Sequence, residues 1–406
     1  MSRRIARTAL SLSAVRPARA VLTALALSLL GAVLPAAAQS AWQTIANPPP
    51  VVGADGQMHA ATCSGYPGTD PTYRFWVRPG DPTKLAVVFD GGGACWDNLT
   101  CSNPFGGDGL LTFYSPDIPA GADPSGYGGL LDMANPANPV AGWTVVAVPY
   151  CTGDVHLGSA DRTYRTVGHK GLPRDLTIHH RGYDNFMVVL DWITRNVPQA
   201  GVSDLLVTGA SAGGYGAAGL FPWVAQAYPG ARLSVLADAS QGVTTQAFDL
   251  GTPGRGSWNV QLAPWVFGED AMSVRSYQMV QRGAQAYTGG RFAQYTTTAD
   301  GVQIGFYGVM RLRYGPSDDP TCRGLNRDWN HQMLDHLAGD TAALPNFRSY
   351  VAPGSDHTII ASNAFYAPMG DQPSVATWLS GMLDASGTMA WDAIACPDCL
   401  TPVPCR

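Results

Sequence analysis

The sequence predicts an α/β fold, in which a mostly parallel sheet is covered by helices on both faces. Short apolar runs recur along the chain, and continuous rather than alternating apolar residues are typical of parallel strands that are buried on both faces. Helical stretches lie between these runs, and alternation of strand and helix builds a parallel sheet. The eight cysteines, an even number, indicate that the fold is disulfide-bonded.

Residues 1–38 have the pattern of a secretory signal peptide. Five arginines precede or flank an apolar run over residues 20–34, and three alanines at 36–38 supply a small-residue cleavage site. We expect cleavage after Ala38, so that the mature chain starts at Gln39 and is secreted, either to the periplasm or outside the cell. Residues 39–406 then form a single catalytic domain with a Cys-rich tail from about residue 390, because no repeat or long linker divides them.

The charge of the mature chain excludes some functions. The leader carries five of the 25 basic residues and none of the 30 acidic ones, so the mature chain has a net charge of −10. Binding to nucleic acid is not expected, because it depends on clustered Lys and Arg. No other apolar run approaches the ~20 residues that a membrane span requires. The oligomeric state is left open.

The cysteines suggest disulfide bonds at two places. Cys95 and Cys101 are close enough in sequence to close a local loop. The tail residues Cys396, Cys399 and Cys405 are also expected to form disulfide bonds, with Cys322 as a candidate partner. Their pairing is left open. A metal site is the rival interpretation of the C-x-x-C in the tail, but no second pair at zinc-site spacing accompanies it.

The elements follow in order along the chain. Four apolar runs predict core strands, at residues 85–89, 144–148, 205–207 and 233–236, and two weaker candidates lie at 292–297 and 347–352. Helices are expected at 185–196, 217–227 and 329–337. Pro222 predicts a kink in the second helix or a break near Leu220. The loop over 101–142 is expected to shape one wall of a cleft, and 258–285 to form a helical insertion over the site.

The third core strand leads into Gly209-Ala210-Ser211-Ala212-Gly213. This G-x-S-x-G pattern between a strand and a helix is the nucleophile elbow of α/β-hydrolase-like folds. The turn is so tight that the serine is strained and its neighbours two positions away need to lack side chains. Ser211 is therefore the candidate nucleophile. A glycine-rich turn that binds nothing is the alternative, and the spacings of phosphate-binding loops are absent.

A glycine run at the end of the first core strand supplies candidate oxyanion donors. In Asp90-Gly91-Gly92-Gly93-Ala94, bare N–H groups can converge on a ligand oxygen without Cβ clashes. We predict an oxyanion hole formed by the N–H groups of Gly92 and Gly93, together with that of Ala212 after the nucleophile. A tight turn without this role is the alternative.

The base and the acid are sought after the serine, because these hydrolases have the chain order Ser, Asp or Glu, His. His357 follows the last candidate strand and is the candidate base. Asp300 follows the strand before it and is the candidate acid. Asp238 is a competitor for the acid, although a capping role is its default interpretation, and Asp356 adjoins the histidine but would point elsewhere.

Together these residues resemble the pectin acetylesterase family. The resemblance runs from about Cys63 to His357, and six segments of the chain carry it. They are Phe89-Asp90-Gly91-Gly92-Gly93-Ala94-Cys95-Trp96 with Cys101, Pro149-Tyr150-Cys151-Thr152-Gly153-Asp154-Val155, Gly209-Ala210-Ser211-Ala212-Gly213-Gly214, Leu236-Ala237-Asp238, Asp300-Gly301-Val302-Gln303, and His357-Thr358-Ile359.

The resemblance implies an α/β-hydrolase-type fold that cleaves carboxylic esters without a metal or other cofactor. It implies that Ser211 is the nucleophile, Asp300 the orienting acid and His357 the base, with disulfides Cys63–Cys151 and Cys95–Cys101. The chain departs from the family at Gly93, where relatives carry a large aromatic residue, and in the tail after His357. These departures concern the substrate rather than the reaction.

The sequence therefore favours a secreted serine carboxylesterase that removes acyl groups, acetyl among them, from a polysaccharide or another polymer. A second hypothesis is an extracellular polyester or lipid-ester hydrolase, because eleven tryptophans could bind an apolar chain and the negative charge repels a polyanion. A third is a non-catalytic carbohydrate-binding protein on a hydrolase scaffold.

Overall fold

A computed structural model describes residues 41–102, 113–167, 173–314 and 324–402. The predicted signal peptide and the cysteines Cys322 and Cys405 lie outside these ranges. Within the described residues, no helix combines the length and the hydropathy needed to cross a bilayer.

The strands of the described residues fall into one large sheet and two small hairpins. They are β1 (Gln43–Ala46), β2 (Val51–Val52), β3 (Met58–His59), β4 (Arg74–Arg78), β5 (Asp81–Phe89), β6 (Trp143–Val148), β7 (Ala160–Val167), β8 (Pro173–His180), β9 (Asp204–Ala210), β10 (Arg232–Asp238), β11 (Arg291–Thr297), β12 (Phe347–Ala352) and β13 (Ile394–Ala395).

The large sheet has the strand order β1-β4-β6-β5-β9-β10-β11-β12-β13. Every pairing from β6 to β13 is parallel, whereas the two pairings at one side of the sheet, β1 with β4 and β4 with β6, are antiparallel, so that β4 alone runs against the other strands of this sheet. The six predicted strands all lie within β5, β6, β9, β10, β11 and β12. The predicted mostly parallel α/β fold is confirmed, and its central strands are buried over nearly their whole length.

The α-helices of the described residues are α1 (Gly182–Asn196), α2 (Ala212–Ala227), α3 (Gln246–Leu250), α4 (Pro264–Phe267), α5 (Gln278–Ala286), α6 (Gly301–Tyr314), α7 (Leu325–Ala343) and α8 (Val375–Leu383). The three predicted helices lie within α1, α2 and α7. The predicted insertion over residues 258–285 contains α4 and α5, joined by loop and a short 3₁₀ turn.

Helix α2 corrects one prediction. The helix continues from Ala212 to Ala227 with Pro222 inside it, so the break expected near Leu220 is absent. Proline removes one helical hydrogen bond and crowds the preceding turn. Here most of α2, including Pro222 and its neighbours, is buried in the core. We attribute the unbroken helix to this burial, because tertiary packing can override local propensity.

The carboxyl ends of the parallel strands meet at one edge of the sheet. Five polar or glycine-rich turns leave the sheet there, after β5, β9, β10, β11 and β12. They carry Asp90, Ser211, Asp238, Asp300 and His357, respectively. Ligands of open α/β sheets bind outside the carboxyl ends of the strands. The topology therefore places every predicted catalytic side chain at one edge.

Three disulfides are described. Cys63–Cys151 joins the segment before β4 to the segment after β6, and Cys95–Cys101 closes the loop after β5. These are the two pairs that the resemblance implies. Cys396–Cys399 closes the C-x-x-C of the tail, immediately after β13.

Candidate active site

Ser211 lies between β9 and α2 in a strained conformation, with φ 57° and ψ −124°. A non-glycine residue with positive φ is costly and is maintained by its surroundings. The flanking glycines make the turn possible. A Cβ at Gly209 would collide with the carbonyl of Gly213, and a Cβ at Gly213 would collide with the carbonyl of Phe89. The turn is therefore as tight as the G-x-S-x-G pattern predicts.

His357 and Asp300 are brought together after β12 and β11. Nδ1 of His357 lies 2.8 Å from Oδ2 and 2.9 Å from Oδ1 of Asp300. The carboxylate of Asp300 is fully buried, whereas the side chain of His357 is partly exposed. A carboxylate at Nδ1 fixes the ring orientation and leaves Nε2 as the reactive nitrogen. Within the described residues Nε2 has no hydrogen-bond partner.

Asp300 is itself held rigidly at the start of α6. Its Oδ1 accepts hydrogen bonds from the N–H groups of Val302 and Gln303, at 3.1 and 2.9 Å. The side-chain amide of Gln303 donates to Oδ2 at 2.9 Å and to Oε1 of Gln241 at 2.7 Å. Gln241 returns a backbone hydrogen bond to Oε1 of Gln303 at 3.0 Å. The Asp-x-x-Gln spacing thus places one side chain where it orients the acid.

Asp238, the competitor for the acid, does not contact the imidazole by a hydrogen bond. Its buried Oδ2 accepts from the N–H groups of Ile359 and Ile360, at 2.7 and 2.9 Å. Between these residues and His357 lies Thr358, with a positive φ of 67°. Burial raises the pKa of Asp238 to about 7, although the two N–H groups lower it. Asp238 therefore caps the turn that carries His357, in accordance with its default interpretation.

The same residue also contacts the elbow. The backbone N–H of Ser211 donates to the carbonyl of Asp238 at 2.8 Å. Asp238 is thus hydrogen-bonded directly both to Ser211 and to the turn that carries His357. Among the described residues there is no hydrogen bond between the Ser211 hydroxyl and Nε2 of His357. In unliganded enzymes such bonds are often long and tighten only with substrate bound.

The glycine turn after β5 leaves two backbone donors open. Gly93 has a φ of 74°, which favours glycine, and a Cβ at Gly92 would collide with the ring of Tyr150. The loop is fixed on either side, because Ala94 N–H donates to the carbonyl of Phe113 at 2.8 Å. In the described part of the chain, the N–H groups of Gly92, Gly93 and Ala212 donate to no backbone carbonyl. These are the three predicted oxyanion donors.

His156 supports this turn, a role that the sequence did not suggest. It is buried, and its Nε2 lies 2.9 Å from the carbonyl oxygen of Asp90. Burial lowers the pKa of His156 to about 4, so the ring is neutral and Nε2–H donates. Its ring packs against Tyr150 and Phe89, with centroids 4.8 and 5.1 Å away.

The remaining histidines are occupied elsewhere in the described fold. His179 pairs with Asp161 at the surface, whereas His180 is buried against Tyr164. His180 lies near Cys95 and Cys101, and these three residues are close enough to share an ion. Because the two sulfurs form a disulfide, they offer no thiolate ligand.

An apolar pocket opens beside these residues. His357, Ala212 and Gly93 form part of its lining. Most of the remaining wall is apolar, formed by Trp96, Leu157, Val243, Phe248, Trp258, Met279, Phe306 and Met310. Apolar walls with a few polar groups are typical of small-molecule sites. His357 also borders a second, larger and more polar cleft.

Comparison with known proteins identifies the family. A family model described as Pectinacetylesterase matches residues 54–249, which include the glycine turn and the elbow. Over these residues, just under half of the chain, the sequence matches the pectinacetylesterase family. The protein is a carboxylic ester hydrolase. The match ends before Asp300 and His357.

A solved structure extends the comparison of the fold. The chain is similar to the crystal structure of the Wnt deacylase Notum from Drosophila, with a TM-score of 0.58 and 17% sequence identity. The similarity covers 90% of this chain and 100% of that chain. No curated protein sequence matches this chain.

Proposed function

We propose that this protein is a secreted serine carboxylesterase in which Ser211, His357 and Asp300 form the catalytic triad. The observation that carries the proposal is the His357–Asp300 hydrogen bond at 2.8 Å, on the same sheet edge as the strained serine. An oriented histidine beside a nucleophile elbow is the arrangement that serine hydrolases use.

The proposed reaction is acyl transfer. Nε2 of His357 takes the Ser211 hydroxyl proton as the oxygen attacks the ester carbonyl. The N–H groups of Gly92, Gly93 and Ala212 hold the oxyanion, and losing one such donor typically costs about 2.7–4 kcal/mol. The imidazolium, oriented by Asp300, then protonates the leaving alcohol. Water, activated by the same histidine, releases the acid and regenerates Ser211.

The pocket supports an acyl group larger than acetyl. The apolar side chains of the wall extend beyond the reach of an acetyl group, whereas each buried CH₂ group of a longer chain contributes about 0.8 kcal/mol. The second, more polar cleft beside His357 supports a bulky alcohol, as in a polymer. The net charge of −10 on the mature chain argues against a polyanionic polymer.

Removal of the nucleophile tests the proposal. We expect Ser211→Ala to lower the hydrolysis of p-nitrophenyl esters by at least about 10⁴-fold, because residues of a triad act as a unit. Ser203→Ala is the matched control, since Ser203 precedes the same strand at its opposite end. A fluorophosphonate should label the wild type and the control but not Ser211→Ala. Undiminished turnover by a folded Ser211→Ala would contradict the proposal.

Removal of acetyl groups from a polysaccharide is the second candidate, favoured by the description of the family. A series of p-nitrophenyl esters of increasing acyl length separates the two. We expect kcat/KM to rise with length until the pocket is filled. Strict preference for acetate would instead support the deacetylase.

A further inference from the structure

Arg255 lies in the wall of the apolar pocket, in the segment between α3 and α4. It is only 1% exposed, although arginine is rarely buried without partners. One of its three nitrogens is occupied, because Nη2 donates to the carbonyls of Val274 and Ala271. Nε and Nη1 have no hydrogen-bond partner in the described part of the chain. Three N–H bonds are therefore left unused beside the pocket.

Asp249, an acid that acts electrostatically on Arg255, is already paired with another arginine. Asp249 is fully buried, and its Oδ2 accepts from Nε of Arg275 at 2.6 Å. Hydroxyl groups of Thr244 and Ser276 donate to the same carboxylate, both at 2.6 Å. Among the described residues, Arg255 forms no ion pair, although the charges of Asp249 and Asp270 raise its pKa and that of Arg275 lowers it. The guanidinium thus has charged neighbours of both signs but no acceptor for its Nε and Nη1 groups among the described residues.

An unsatisfied buried cation is costly. Burial lowers the pKa of Arg255, but a guanidinium stays protonated in proteins and cannot escape the cost by losing its proton. Burying a charge is unfavourable unless it is paired and hydrogen-bonded. A ligand oxygen that accepted these N–H bonds would remove that cost. Such a site would discriminate strongly against analogues without the acceptor, because the guanidinium would then stay unpaired.

We infer that Arg255 binds an oxygen acceptor in the acyl chain of the substrate, so that the pocket selects acyl groups that carry a carbonyl, hydroxyl or carboxylate over plain alkyl chains. The inference rests on the proposed function, since His357 and two of the proposed oxyanion residues, Gly93 and Ala212, line the pocket. The walls between His357 and Arg255 suit methylene groups, and Arg255 suits the oxygen.

The wild-type protein gives the first test. Matched p-nitrophenyl esters of one length are compared as plain alkyl, oxo-acyl and ω-carboxy-acyl forms, and the series is repeated over several lengths. At the best length, we expect kcat/KM for an acceptor-bearing ester to exceed that for the alkyl ester by about tenfold or more. Preference for the carboxylate indicates an anionic substrate, and preference for the oxo group a neutral polyester. An alkyl ester that equals or exceeds both at every length overturns the inference.

The second test replaces the guanidinium. Arg255→Met keeps much of the volume, and we expect the preference ratio to fall to about one. The matched control is Arg282→Met, because Arg282 donates to the carbonyl of Phe267 in the same insertion and is not part of the pocket lining. The control should keep the wild-type ratio. A preference that survives Arg255→Met overturns the assignment to Arg255, and if this variant fails to fold, the wild-type ratio decides alone. Absence of any Ser211-dependent hydrolysis would instead refute the proposed function.

Discussion

At the residue scale, Asp238 forms hydrogen bonds both to the turn that carries Ser211 and to the turn that carries His357. Its carbonyl accepts the N–H of Ser211, and its carboxylate accepts the N–H groups of Ile359 and Ile360. The two residues that it positions, Ser211 and Thr358, both have positive φ. Because strained residues persist only where their surroundings fix them, we regard Asp238 as a positioning residue for the nucleophile and for the His357 turn.

Substitution of Asp238 should separate its hydrogen bonds from its charge. Asp238→Asn keeps an oxygen that can accept both N–H groups, and we expect kcat within several-fold of the wild type. Asp238→Leu removes the acceptor, and a misplaced His357 should lower kcat about 10²-fold with little change in KM. Steady-state kinetics measures both values. The wild-type kcat in a folded Asp238→Leu would show that the turn is held by other contacts.

The sequence pointed to the candidate reactive residues through explicit motifs, and less clearly to the residues that position them. Ser211 stands in a motif whose glycines are sterically required, and His357 and Asp300 follow strands in a fixed order. A capping role was the default interpretation of Asp238, but the turn that it caps could not be predicted, since a carboxylate after a strand has the same sequence whichever backbone amides it faces. Arg255 carried no signal either, because an arginine in a glycine-rich loop is usually exposed.

At the element scale, the small hairpin of β2 and β3 is attached to α1 through one buried histidine. Nδ1 of His59 lies 2.7 Å from Asp184 in the first turn of α1, and Nε2 lies 2.9 Å from Asp55. Burial alone would lower the pKa of His59, but hydrogen bonds to Asp184 and Asp55 raise it above its usual value. The folded protein therefore binds this proton more tightly than the unfolded chain.

This linkage predicts how stability depends on pH. The contribution of His59 is fully present below the pKa of an unfolded histidine, about 6.5, and is lost as the pH rises through the higher folded value. Hydrogen bonds to charged groups contribute about 1.5–3 kcal/mol, so His59→Leu should lower the free energy of unfolding by about that much at pH 6 and by less at pH 8. Urea unfolding at both pH values measures the difference.

A surface histidine gives the control. His331 pairs with the exposed Asp335 on α7, and exposed pairs contribute about 0–1 kcal/mol. His331→Leu should change stability little at either pH. Equal losses for His59→Leu at pH 6 and pH 8 would indicate that the histidine acts through packing alone.

The elements differ in how well the sequence predicted them. The buried parallel strands were predicted because their apolar runs are continuous, and burial on both faces requires such runs. The strands β1 and β4 at one side of the sheet and the hairpin β7–β8 were not predicted. Strand β1 and the hairpin are partly polar because they are partly exposed, whereas β4 is buried but short, with an arginine at each end. Of the kink and the break that Pro222 suggested for the second predicted helix, the break is absent, because local propensity does not include the burial of the helix.

At the scale of the whole molecule, the two disulfides near the site should have different effects. Cys63–Cys151 spans 88 residues and Cys95–Cys101 spans six. In the chain-entropy model these closures stabilise by about 4.6 and about 2.2 kcal/mol, respectively. Replacing the first pair by alanine should therefore cost more stability, measured by thermal and urea unfolding.

For activity, loss of the short disulfide Cys95–Cys101 should have the larger effect. Cys95 follows the glycine turn directly, so Cys95→Ala with Cys101→Ala should lower kcat more than loss of the longer closure does in molecules that remain folded. The comparison is made at a temperature where both variants are native by circular dichroism. If the double variant of the short loop keeps full kcat, the turn is rigid without its sulfur link.

The link between Cys95 and Cys101 lies next to the amides that would receive the oxyanion. A newly made chain in a reducing cytosol would hold that turn without its covalent closure. Oxidation of Cys95 and Cys101 would then complete the oxyanion turn. The cell's own esters would be exposed only to the reduced form of the protein. A reducing thiol should therefore lower the esterase activity before it unfolds the protein.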